Sequence, residues 1–160
     1  MKTLTNLKLQ QNIRLKNKPN KKSFQLFKKK QNLTKIVRMK KQALLIIDHG
    51  SKRKAANDMI FDVVKIVQSL KPQLLVVGAH MELADPTIED GINQCINQGA
   101  TSIVVQPFML SPGRHSVSDI PNMVKDIAKK HPNISITLGK HFGTHQKIAE
   151  IILEQTGLNH

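Results

Sequence analysis

Cysteine is almost missing from this chain of 160 residues, where Cys95 stands alone. One thiol cannot close a disulfide within the molecule, and one copy cannot build a four-cysteine metal site or an iron–sulfur cluster. Trp and Tyr are absent, so a stacking surface for single-stranded nucleic acid would rest on five Phe. No apolar run approaches the roughly 20 residues that cross a bilayer as a helix. No Gly-x-Gly-x-x-Gly follows the first apolar run and no P-loop pattern occurs, so dinucleotide and P-loop phosphate binding lack support. Ser51 and Ser111 lack the setting of a nucleophile elbow.

Acid is the third shortage, and it is local. Residues 1–41 hold twelve Lys, two Arg and no Asp or Glu, which accounts for the whole formal charge of +14. Residues 42–160 hold 11 basic and 11 acidic side chains and are neutral. The high charge is therefore no general signature of a nucleic-acid partner. Residues 1–40, rich in Lys, Asn and Gln, show no sustained strand or helix period and are expected to be disordered. A basic, acid-free leader ahead of a folded domain reads as a transit peptide. It points to a plastid first, with mitochondrion and cytoplasm as alternatives. The competing reading is a basic tail that holds a polyanion or an anionic membrane.

The rest, residues 41–157, is long enough for one domain with a core. Leu44 to Ile47 is a continuous β-branched-rich run, as for a strand buried on both faces. Ala56, Ile60, Val63, Val64 and Val67 then recur at helical spacing between Lys52 and Leu70, with Ser51 as the expected N-cap. Gln73–Ala79 is a second buried strand. Asp85 is the expected N-cap, with Pro86 at the first position, of a helix carrying Ile88, Ile92, Cys95 and Ile96 on one face. Cys95 is most simply a core hydrophobe. Thr101–Phe108 is a third strand, Val117–Ala128 a third helix, Ile134–Leu138 a fourth strand and His145–Gln155 a last helix. The alternation predicts an α/β fold: a single doubly wound domain, a four-stranded mainly parallel sheet with helices on both faces. So small a sheet has edges to cover, which suggests a homodimer.

Functional groups in such a fold gather on loops at the carboxyl ends of the strands. The first loop carries His49, the second His80 and Glu82, the third Arg114 and His115, the fourth His141. Imidazoles with a carboxylate suit a divalent first-row metal. Each has a plainer reading. His49 could bond to its own turn, and His80, at the end of a buried strand, could be a packed, hydrogen-bonded histidine. His131 and His145 fit helix ends, and His141 stays ambiguous. Met81, Met109 and Met123 fit the core. Glu82 just past a buried strand is harder to explain by packing.

Three stretches carry a resemblance. DHGSKRKAAN after the first strand, AHMELADPTIEDGI after the second and VVQPFMLSPGRHSVSDIP after the third resemble the small class II chelatases. That group includes the sirohydrochlorin ferrochelatases of plastids and the related bacterial cobaltochelatases. The likeness runs over about residues 42–156, in order. It implies insertion of Fe²⁺ into sirohydrochlorin to give siroheme, by a lyase. It implies that His49 and His115 hold the incoming metal, His115 lying in Gly113-Arg-His-Ser-Val-Ser-Asp-Ile-Pro121.

A macrocycle that gains a dication must lose two pyrrole protons, so Glu82 or one of these histidines is expected to accept them. Ser51, Arg53, Arg114 and His80 are the expected substrate-binding residues, with Lys52 a further cation for the macrocycle's carboxylates. No permanently bound cofactor is expected: the metal is substrate, with Co²⁺ or Ni²⁺ as alternatives to Fe²⁺. No iron–sulfur cluster is expected, because the cysteine-bearing extension of the plant enzymes is not found in these 160 residues. The resemblance also implies a homodimer. No nucleic-acid or membrane partner is expected, because the body is neutral and no apolar run is long enough to span a bilayer. A reading of another class is a metal- or tetrapyrrole-binding protein without turnover.

Overall fold

The computed structural model describes residues 25–26 and 41–158. Nearly all of the basic leader, residues 1–40, lies outside them, and with it the expected disorder and transit function. Residues 41–158 fall within one compact unit.

The compact unit alternates strand and helix throughout: β1 (Gln42–Asp48), α1 (Lys54–Leu70), β2 (Leu75–His80), α2 (Ile88–Asn97), β3 (Ser102–Pro107), α3 (Ile120–Lys130), β4 (Ser135–Leu138) and α4 (Gln146–Thr156). A π-helical turn, His115–Asp119, leads directly into α3. The strands lie in the order β2-β1-β3-β4, and every pairing is parallel.

Side chains of β1 divide between two faces, as the period of a strand requires. Ala43, Leu45 and Ile47 join Ile88, Ile92 and Cys95 of α2 and Ile120, Val124 and Ile127 of α3 in the larger core cluster. Ile46 and Leu44 meet Ile60, Phe61, Val63, Val64 and Val67 of α1. Each fully buried Leu or Ile contributes roughly 1.5–3 kcal/mol through the area withdrawn from water. Gly91 lets α2 lie close on the sheet: a Cβ there would stand 2.6 Å from a Leu45 methyl. α1 covers one face while α2 and α3 cover the other, which is the arrangement that right-handed crossovers produce in this strand order.

The helix starts depart from expectation. α1 begins at Lys54, and its N-cap is Arg53 without a side-chain bond. Ser51 acts one step earlier: its Oγ accepts from the Arg53 N–H, and Asn57 both accepts from Ser51 N–H and donates to its carbonyl. For α2 the cap is Thr87, not Asp85, with a reciprocal capping box to Asp90. Pro86 is tied to the strand instead, its carbonyl accepting the His80 N–H at 2.8 Å. Val117 falls in the π-helical turn and is exposed rather than part of a core face. α4 buries none of its residues. Among the described residues, no helix is long and apolar enough to cross a membrane.

Candidate metal centre

The chain leaves β1 toward β2 on one side and leaves β3 toward β4 on the other. Neighbouring strands whose connections diverge open a crevice at their carboxyl ends, where α/β folds bind ligands. His49 is the first residue after β1, and His115 lies eight residues after β3 ends at Pro107. The topology alone brings the first and third loops to one crevice. The second loop reaches it because the β1–β2 ladder runs on past its last strand pair. Met81 N–H bonds to the Asp48 carbonyl at 2.9 Å and Glu82 N–H to the His49 carbonyl at 3.0 Å.

Gly50 makes this junction possible. Its φ is +83°, and a Cβ there would sit 1.9 Å from the Glu82 carbonyl oxygen. Only glycine fits both the backbone and the space. Asp48 clamps the same turn. Its Oδ1 accepts the Gly50 N–H at 3.0 Å and lies 2.6 Å from Nδ1 of His80.

His49, Glu82 and His115 each offer one ligand atom, all within 4.8 Å of one another. Metal bonds of about 2.1 Å put two donors on one ion at most about 4.2 Å apart, so a small side-chain rotation suffices to close the set. The three side chains are 42%, 48% and 43% exposed, leaving one side of the cluster open. The His49 and His115 rings meet edge to face, with centroids 4.8 Å apart.

The bonds behind each ring decide what faces the cluster. His49 Nδ1 lies 3.1 Å from the Gly50 carbonyl oxygen, which only accepts. Its Nε2 faces a second acceptor, Glu82 Oε1, at 3.0 Å. Nδ1 of His115 lies 3.0 Å from Asp119 Oδ2.

The other expected residues divide. Arg53 and Arg114 are exposed near this rim, and Arg114 Nε lies 3.6 Å from Asp119 Oδ2. Ser51 is partly buried and engaged in opening α1. Lys52 is exposed. His80 does not belong with them: its side chain is 0% exposed and lies on Asp48, edge-on to the Phe61 ring. It cannot touch a substrate from there, and the expectation that it binds one is corrected. Asp48, Asn57 and Asp119 were not picked out from sequence. For Asp119 a signal existed, since a carboxylate four residues after a histidine can share its helical face.

A family model described as CbiX matches residues 43–157. The chain is 39% identical over 109 residues to the chloroplastic sirohydrochlorin ferrochelatase of Arabidopsis thaliana, an alignment covering 68% of this chain and 48% of that protein. Against the sirohydrochlorin cobaltochelatase of Sulfolobus acidocaldarius it is 29% identical over 112 residues, covering 70% of this chain and 87% of the other. Among solved structures, the sirohydrochlorin chelatase SirB from Bacillus subtilis subspecies spizizenii in complex with cobalt superposes with a TM-score of 0.69 at 31% identity, covering 73% of this chain and 50% of that one. The chain thus spans about half the length of the Arabidopsis and Bacillus proteins.

Proposed function

The chain belongs to the CbiX family, and from that membership we propose that it is a sirohydrochlorin chelatase, a lyase that inserts Fe²⁺ into sirohydrochlorin to form siroheme. The observation that carries the reading is the convergence of His49, Glu82 and His115, from three separate loops, on one open cluster. A storage site gains by enclosing its ion. A site that must surrender the ion to a flat macrocycle needs few ligands and one free side.

The reaction exchanges a dication for two pyrrole protons. Neutral imidazole nitrogens of His49 and His115 hold Fe²⁺ at the mouth. The macrocycle approaches the open side, its carboxylates met by Arg53 and Arg114, with Ser51 and Lys52 at the same rim. As its nitrogens take the metal, both N–H protons must leave. Glu82, whose Oε1 is 3.0 Å from His49 Nε2, accepts one and passes it to water before taking the next. The protein supplies position and proton acceptors, and the macrocycle supplies the conjugated ligand.

Co²⁺ is the second reading for the metal. Two relatives favour it: one is named a cobaltochelatase and one crystallised with cobalt. A homodimer is part of the proposal, supported by apolar surface that the fold leaves uncovered on α4. A plastid location is supported by the acid-free leader and by the chloroplastic relative.

The test is turnover. The purified full chain, given sirohydrochlorin and Fe²⁺, is expected to produce the siroheme absorption spectrum. His49→Ala and His115→Ala should each lower the rate at least about 100-fold, because each removes a metal-handling group that water replaces poorly. Wild-type rates in both variants would remove the reading. Parallel assays with Co²⁺ at equal concentration decide the metal.

A further inference from the structure

We propose that Asp119 is a positioning residue that makes the two histidines of this centre unequal: it turns His115 into the anchor of the cation and leaves His49 as the ligand that lets go first. The inference rests on His115 being a metal ligand.

The two rings have different supports. His49 Nδ1 is 3.1 Å from a neutral backbone carbonyl oxygen, that of Gly50. His115 Nδ1 is 3.0 Å from a carboxylate oxygen of Asp119. A carboxylate accepts and does not donate, so His115 carries its proton on Nδ1 and presents Nε2 as the lone pair. A negative charge behind an imidazole also makes the far nitrogen a stronger donor than a carbonyl does. Of the two rings, His115 therefore holds the cation more tightly.

Asp119 is free for this work. It stands where the π-helical turn runs on into α3, its own backbone helical, and its side chain makes no capping bond. The π-helical turn brings its Oδ2 to the ring of His115 instead. Arg114 Nε, 3.6 Å from the same oxygen, belongs to an exposed side chain. It competes only from the solvent side.

His49 sits on the opposite footing. Its Nε2 faces Glu82, the proton acceptor of the proposed reaction. A cation that leaves His49 first exposes that carboxylate on the side from which it departs, while His115 still holds the ion. The order of release and the place of proton uptake then coincide.

The experiment titrates the purified full chain with Co²⁺, by calorimetry and by visible absorption of the bound ion, across His49→Ala, His115→Ala, Asp119→Ala and Asp119→Asn. Asp119→Ala is expected to weaken Co²⁺ binding roughly 10- to 100-fold. Asp119→Asn should lie between it and wild type, because an amide oxygen still accepts the Nδ1 proton without the charge. His115→Ala should cost more affinity than His49→Ala. Nitrogen-15 spectra of the histidine side chains should show the Nδ1-protonated form of His115 in wild type and its loss in Asp119→Ala. A merely structural aspartate would shift the melting temperature and leave the bound-ion spectrum alone.

Wild-type affinity in Asp119→Ala overturns the inference, and so does the same result in Asp119→Asn if the alanine variant fails to fold. Equal losses in the two histidine variants overturn the anchor assignment. A chain that binds Co²⁺ through both histidines with this ranking, yet never metallates sirohydrochlorin, upholds the inference and removes the chelatase reading. Turnover together with an indifferent Asp119 does the reverse.

Discussion

Among the described residues, His80 is the one polar side chain fully buried, and its Nε2 has no hydrogen-bond partner. Such an atom costs on the order of 1–3 kcal/mol, so another gain must hold the ring in place. The gain is the 2.6 Å contact with Asp48, whose Oδ1 also secures the Gly50 turn. His80 thus supports His49 from beneath without approaching the mouth. If so, His80 and Asp48 are energetically coupled. Urea unfolding of His80→Ala, Asp48→Ala and the double variant should give a coupling of about 1–3 kcal/mol, each single change stranding the other group. Strict additivity would show that the contact carries nothing. The strand sequence could not reveal this role. β2 is apolar on both faces, with no alternation to say which way His80 points. His49, Glu82 and His115 were legible for the opposite reason. They lie beyond the strand ends, where the fold class alone places side chains on one rim. Asp119 was within reach of the same reasoning through its spacing from His115, and Asp48 was not, because its partner is 32 residues away.

At the scale of elements, α1 and α2 could be recognised from their apolar period, and their starts could not. A start depends on which polar side chain wins the first free N–H groups, and several short polar residues compete before each helix. Thr87 prevails over Asp85 because Asp90 answers it reciprocally, while Pro86 is held by β2. The period does place Cys95 correctly. It is fully buried between α2 and the sheet, and burial pushes its thiol up to about 11. This has a consequence for alkali. The native state keeps the proton between the ordinary thiol value of 9.0 and about 11, where the unfolded chain has lost it. The contribution is complete below pH 9 and falls away as pH rises toward 11. Urea midpoints measured from pH 8 to 11 should therefore decline, and Cys95→Ala should decline less steeply. Native protein should also resist iodoacetamide at pH 8 and react only on unfolding. Rapid alkylation of the native chain would mean that α2 does not seal the site.

At the scale of the whole molecule, the sheet is closed on one face and half open on the other. Val104 of β3 pairs in register with Leu44, so it points to the side covered by α1, yet it remains exposed. The strand order itself had no local signature, since it is decided by which crossovers pack. The last helix adds to the open surface. Ile151, Ile152 and Leu153 are 54%, 58% and 44% exposed, and neither core cluster includes a residue of α4. A run of three large apolar side chains in water has no stabilising role within one copy. A second copy would cover it, provided the interface reaches the roughly 1,200–2,000 Å² of stable associations. The proposed homodimer then depends on α4, while the core of each copy does not. Ile152→Asp should therefore convert a dimer into a folded monomer, read by sedimentation at micromolar concentration, with little change in circular dichroism. A wild-type chain that sediments as a monomer, or an Ile152→Asp variant that remains dimeric, would place the contact elsewhere or remove it.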